Sequence, residues 1–155
     1  MGVPTRAGAV PSQCTVLIAR VARVLRQRFE QVLAPLGLRQ RHVVALSYLR
    51  GHGPTAQQLL AERLRMDASS LVCLLNELED SDLILRHRDR SDRRRAIVEL
   101  SARGESVLSK ADRAVQVVED EMLAGLADAE RDMLHALLAR LNSAEAEWVL
   151  AAEEA

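Results

Sequence analysis

Aromatic side chains are almost missing from this chain: Phe29, Tyr48 and Trp148 are the only ones in 155 residues. A core of stacked rings is thereby excluded, and burial falls to aliphatic residues, chiefly Leu, Val and Ala, at helical spacing. Cysteine is scarce as well. Cys14 and Cys73 are the only two, with no CxxC spacing, which excludes a disulfide framework and points to a reducing compartment. No apolar run approaches the roughly 18 residues that a membrane span needs. The opening "MGVPTRAGAVPSQ" lacks the apolar centre of a signal peptide, so a cytoplasmic protein without a membrane partner is expected. The chain also carries no GxGxxG, P-loop or GxSxG pattern and no paired carboxylates in a pocket context. An enzyme is therefore not expected, nor is a cofactor. His52, His87 and His135 are scattered with no i,i+4 partner, so no metal site is expected within one chain, while spacing leaves open a zinc site assembled across two chains.

What is present is a globular composition, 48% hydrophobic and 28% charged, sufficient for one well-buried domain. The net charge of -1 conceals a strong sorting by sign. Residues 1–66 sum to +8, 67–84 to -5, 85–95 to +4, and the remainder to -8. Sorting of this kind suggests a cationic surface for a polyanion and an acidic, solvated face elsewhere.

Periodicity supplies the elements. A loose tail over 1–12 precedes "TVLIARVARVLRQRFEQVLAPLG", a long helix stopped by Pro35 and Gly37. A second helix fits "RQRHVVALSYLRG" and ends at "GHGP". "TAQQLLAERLR" reads as a short third helix opened by a Thr55/Gln58 capping box. After a three-residue break, Asp67 caps a fourth helix that carries Leu71, Leu74, Leu75 and Leu78 on one face. Then the period shifts. "LILRHR" and "RAIVELS" approximate strand alternation around a polar tip, so that six arginines crowd one hairpin. Ser101 caps a long fifth helix, and Asp128 caps a last one after Gly125. Two helices joined by a short turn and followed by a basic hairpin describe a winged helix-turn-helix, mostly α with a small β-wing.

In such an arrangement the second helix of the pair meets base edges in the major groove. That face is formed here by Ala68, Ser69, Ser70, Cys73 and Asn76, of which Asn76 has the chemistry to pair bidentately with adenine. The face carries no arginine, which leaves discrimination to the wing and to DNA shape. Arg88, Arg90 and Arg93 lie at or near the wing tip, suited to a narrow A·T-rich minor groove. Asp92 with Arg94 reads as an ion pair that holds the turn.

The stretch from Met66 to Ser101 resembles the signature of the MarR family, the multiple-antibiotic-resistance type of winged-helix regulators. "MDASSLVCLLNELEDSDLILR" matches its leucine-rich helix, and "DRSDRRRAIVELSARG" its wing, with Asp89, Asp92, Arg93, Arg94, Ser101 and Gly104 on the pattern. Three positions depart from it. Asp82 replaces the usual glycine after the helix, and Cys73 and Glu77 stand where many members carry arginine.

The resemblance implies a dimeric transcription regulator, usually a repressor, bound to a pseudo-palindromic operator in double-stranded DNA. The N-terminal helix over 13–36 and the helices over 101–152 would then form the homodimer, flanking a DNA-binding region over 37–100. The aliphatic repeat from Val107 to Leu141 supports this independently, because it exceeds what one small domain covers. The resemblance further implies release by a small aromatic or phenolic anion, for which Arg20 and His42 are the candidate contacts. It also raises a thiol-based redox sensor as an alternative, with Cys14 near the family's sensing position and Cys73 on the DNA-facing helix. The remaining alternative is a winged helix used for nonspecific, architectural DNA binding or for protein contacts.

Overall fold

The computed structural model describes residues 13–153, with side-chain surroundings over 13–142. The expected tail over 1–12 lies outside these, and Trp148 lies in the described backbone but outside the described side chains. The elements run α1 (Cys14–Leu33), α2 (Gln40–His52), β1 (Thr55–Ala56), α3 (Gln57–Leu64), α4 (Ala68–Asp80), β2 (Ile84–Arg88), β3 (Ala96–Leu100), α5 (Ala102–Met122) and α6 (Asp128–Glu153). No helix among the described residues is long and apolar enough to cross a membrane. They form two compact units, Met1–Val118 and Glu119–Ala155.

In the first unit the helices pack on a three-stranded antiparallel sheet of order β1-β3-β2. β2 and β3 pair from Ile84↔Leu100 to Arg88↔Ala96, and β1 adds Thr55↔Val98 and Ala56↔Ile97 on the other side. The core beneath is aliphatic: Leu46, Leu49, Leu60, Leu71, Leu74, Leu75, Leu78, Ile84, Val98 and Leu108 are each at most 1% exposed. All four α4 leucines expected to face inward do so.

Three helices end in the same way, with a left-handed residue and a bond that closes five residues back. After α1 this residue is Gly37, and Leu38 N–H donates to Leu33 C=O at 3.2 Å. Arg65 plays the part after α3, with Met66 N–H donating to Ala61 C=O at 2.9 Å. Asp82 does so after α4 at φ +57°, where Leu83 N–H donates to Leu78 C=O at 2.9 Å. The departure from glycine at Asp82 therefore changes the residue and keeps the cap. Aspartate tolerates this backbone better than most residues.

Two expected caps are placed differently. Thr55 lies in β1, and its hydroxyl donates to Gly53 C=O at 2.9 Å, leaving Ala56 to precede α3 without a side-chain cap. Pairing with Val98 holds Thr55 in a strand, which removes it from the capping position. In the second unit Asp128 is the first helical residue, and the cap is supplied from inside by Glu130, whose Oε2 accepts from Ala127 N–H at 2.8 Å. Ser101 caps as expected: its Oγ accepts from Gly104 N–H at 2.8 Å and donates to Asp82 C=O at 2.6 Å. One hydroxyl thus joins the end of α4 to the start of α5.

Gly104 sits at that joint. A Cβ there would lie 2.1 Å from Leu83 C=O and 2.8 Å from Leu100 Cδ1. Gly104→Ala is expected to destabilise the protein by ~1–3 kcal/mol in denaturant unfolding, whereas Asp82→Gly, which relieves a left-handed side chain, is expected to stabilise it by ~0.5–1 kcal/mol.

Candidate nucleic-acid interface

Burial of the four leucines turns the opposite side of α4 to solvent. Ala68, Ser69, Ser70, Cys73 and Asn76 are all exposed there, together with Val72. Their polar atoms are already partly engaged. Asp67 accepts from Ser70 N–H at 2.9 Å and from the hydroxyls of Ser69 and Ser70, each at 2.6 Å. These bonds, the Ser69 hydroxyl foremost, hold the Asp67 carboxyl well below the usual carboxylate range. Both serines therefore spend their protons inward and present lone pairs outward.

Farther along the helix, Glu77 is the meeting point of two elements. Arg41 of α2 donates to its Oε1 at 2.6 Å, and Arg39 lies 3.7 Å from Oε2. The Cys73 thiol contacts Oε1 at 3.7 Å. His42 completes the cluster, buried at 5% exposure, with Nε2 at 2.8 Å from Glu77 Oε2. Its Nδ1 accepts from Arg39 N–H at 3.1 Å, so the proton resides on Nε2, which donates to the carboxylate. Burial is the main cause of a lowered His42 pKa, against the raising effect of Glu77. The hydrogen bond from Arg41, then that from His42, brings Glu77 down to about 2.

His42, a candidate effector contact, is thus already hydrogen-bonded through both ring nitrogens. Nε2 ties α2 to α4 through Glu77, while Nδ1 is engaged at the start of α2 itself by Arg39 N–H. Arg20 is exposed on α1 without a hydrogen bond or ion pair among the described residues. Cys14 is the exposed first residue of that helix.

The wing is organised by its aspartates. Asp89 Oδ1 accepts from Ser91 N–H at 2.8 Å and from its hydroxyl at 2.7 Å, the N–H being the main reason its carboxyl titrates low. Asp92 Oδ1 accepts from Arg94 N–H at 3.0 Å. The expected Asp92–Arg94 ion pair is therefore a bond from carboxylate to backbone. Two residues apart in a turn, the carboxylate reaches the N–H more readily than the guanidinium. Arg94 is thereby released. Together with Arg95, Asp92, Gln57 and Gln58 it lines an open cleft of about 530 Å³ between the start of α3 and the wing. Arg88 is committed, donating to Arg93 C=O at 2.8 Å across the turn. Arg90 and Arg93 remain exposed with free guanidinium groups among the described residues. Sequence reasoning missed Arg86, which is gripped by Glu79 and donates to Asn76 Oδ1 at 2.6 Å. No local pattern marks that bond, since it depends on where β2 passes α4.

A buried helix-turn-helix whose second helix shows a polar face beside an arginine-rich hairpin defines a winged-helix protein. Residues 38–96 match the family model described as MarR family. Among solved structures the chain is similar to a probable transcriptional regulator from Pseudomonas aeruginosa, at 29% identity over 84% of this chain and 97% of that one, with a TM-score of 0.73. A mutant MarR from E. coli complexed with operator DNA shares the fold at 22% identity, covering 82% and 91% of the two chains, with a TM-score of 0.72. So does BpsR of Bordetella bronchiseptica, whose DNA binding is regulated by 6-hydroxynicotinic acid, at 21% identity over 84% and 94%, with a TM-score of 0.73. The family match spans the helix pair and the wing, and the solved structures extend the likeness in fold to most of the chain.

The His42–Glu77 tie has a signed consequence for pH. His42 is held neutral, so the unfolded chain binds its proton first, and stability falls as pH drops below about 6.5. Glu77 adds a second loss as pH falls from 4.5 towards about 2. Urea unfolding of the native protein is expected to show midpoints declining from pH 7 to pH 5, and His42→Gln to flatten that decline; equal slopes would contradict the tie.

Proposed function

We propose that the chain is a sequence-specific regulator of transcription that binds double-stranded DNA as a homodimer and acts as a repressor in the cytoplasm. The observation that carries this reading is the exposed polar face of α4, formed by Ser69, Ser70, Cys73 and Asn76, beside a wing that holds Arg90, Arg93 and Arg94 free of side-chain partners among the described residues. α4 enters the major groove, and the wing arginines reach the flanking minor groove or its phosphates. The operator complex of the E. coli relative supports the same use of the fold.

Dimerisation draws support from each unit separately. α1 exposes Leu17, Ile18, Val21 and Val24, and α6 exposes Met133, Leu137, Leu138 and Leu141. A second copy covers such stripes and places two recognition helices about one DNA turn, ~34 Å, apart. The effector in this reading is a small aromatic anion, the chemistry to which BpsR responds, with exposed Arg20 as its candidate contact.

The test is titration of the purified protein with its own upstream DNA against random DNA at physiological salt. A specificity of ~10³ or more is expected, with release by an aromatic carboxylate such as salicylate. Arg90→Ala is expected to weaken specific binding by ~1–3 kcal/mol. Uniform, salt-sensitive binding to every duplex would replace this reading with the architectural one.

A further inference from the structure

Asn76 is the only side chain on the exposed face of α4 that carries an amide, and its orientation is set by a neighbour. An arginine has hydrogen-bond donors and no acceptor, so the Asn76 atom 2.6 Å from the Arg86 guanidinium is necessarily the carbonyl oxygen. Arg86 is itself fixed. Its Nε donates to Glu79 Oε2 at 2.7 Å, and a second guanidinium nitrogen contacts the same oxygen. Glu79 and Asn76 stand three residues apart on α4, one helical step, and the guanidinium from β2 bridges them. Asn76 Oδ1 is thus turned towards the wing strand, while its Nδ2 has no partner among the described residues and the residue is exposed.

Bidentate recognition of adenine needs both ends of the amide, with Oδ1 accepting from N6 and Nδ2 donating to N7. Here Arg86 engages one lone pair of the accepting oxygen and sets a cation against it, an environment that repels the adenine N6–H group. The donating end meets no such obstacle. Guanine offers two adjacent acceptors in the major groove, N7 and O6, whereas cytosine offers a donor.

Resting on the DNA-reading function above, we infer that Asn76 acts in the major groove as a hydrogen-bond donor specifying guanine, and that Arg86, held by Glu79, is the positioning residue that denies it adenine. The expected pairing of Asn76 with adenine is thereby reversed. Ser69 and Ser70, whose protons are spent on Asp67, stand on the same face with the opposite polarity. The reading surface is divided into an accepting end and a donating end before DNA arrives.

Selection of bound duplexes from a randomised library tests this with the full chain. The native protein is expected to enrich guanine at one position of each half-site, and Asn76→Ala to lose that preference by ~5-fold or more while leaving the other positions unchanged. Arg86→Leu, its fold checked by thermal unfolding, is expected to shift the same position towards adenine. Asn76→Asp retains an acceptor for Arg86, so its fold is preserved, and it is expected to exchange guanine for cytosine. Adenine at the Asn76-dependent position of the native protein, or a motif that Asn76→Ala leaves wholly unchanged, would overturn the inference alone. Enrichment of no motif by the native protein would overturn the sequence-specific reading and this inference with it.

Discussion

The rotation of α4 about its own axis is the constraint on which the interface depends, and four buried leucines set it. Leu71, Leu74, Leu75 and Leu78 are each at most 1% exposed, and burying such a side chain contributes about 1.5–3 kcal/mol. Turning the helix by one residue would bring these groups to water and carry Ser70 or Asn76 into an aliphatic core. Everything on the outer face follows from that penalty. The ends of the helix are fixed just as firmly, by Asp67 at the start and by the Asp82 turn at the finish, where Leu83 closes back on Leu78. Through Ser101 and Gly104 that same turn forms the seat of α5.

Carboxylates in this region act as organisers of polarity. Asp67 consumes the protons of two serines, Glu77 gathers Arg41 and His42, Glu79 holds Arg86, and Asp89 and Asp92 fold the wing tip through backbone N–H groups. Acids beside a polyanion look counterproductive when only their charge is counted. Their geometry removes the difficulty: each is satisfied from within the protein, and in the proposed function the guanidinium groups of Arg90, Arg93 and Arg94, free among the described residues, are left to meet phosphate. In the wing the two signs have different tasks, with Arg90, Arg93 and Arg94 exposed and Asp89 and Asp92 fixing the turn that carries them.

Legibility in the sequence followed sequence distance. The leucine face of α4, the Asp67 and Ser101 caps, the stop after Gly37 and the strand pair around the wing were all readable, because each is decided within a few residues. β1 was not. It is two residues long and exists only because Thr55 and Ala56 meet Val98 and Ile97 across the sheet. The same pairing removes Thr55 from the capping role that its neighbourhood suggests. His42 and Glu77 are 35 residues apart, and Asn76 meets Arg86 only once β2 has folded against α4. Residue type announced that His42 and Asn76 were chemically capable. Only packing disclosed that the first is spent as a brace and that the second has its accepting oxygen set against a cation. In the wing, the link between Asp92 and Arg94 was legible as a pair, but its use of backbone is a property of turn geometry.

The central claim is that α4 and the wing engage one duplex together, the helix in the major groove and the arginines in the minor groove beside it. A hydroxyl-radical footprint of the full chain on its highest-affinity duplex tests this most directly. The account predicts two protected half-sites centred about one helical turn apart, each flanked by minor-groove protection that disappears from the flanks when Arg90, Arg93 and Arg94 are replaced together by alanine. Continuous, unphased protection along the fragment, or flanks untouched by the triple replacement, would contradict it.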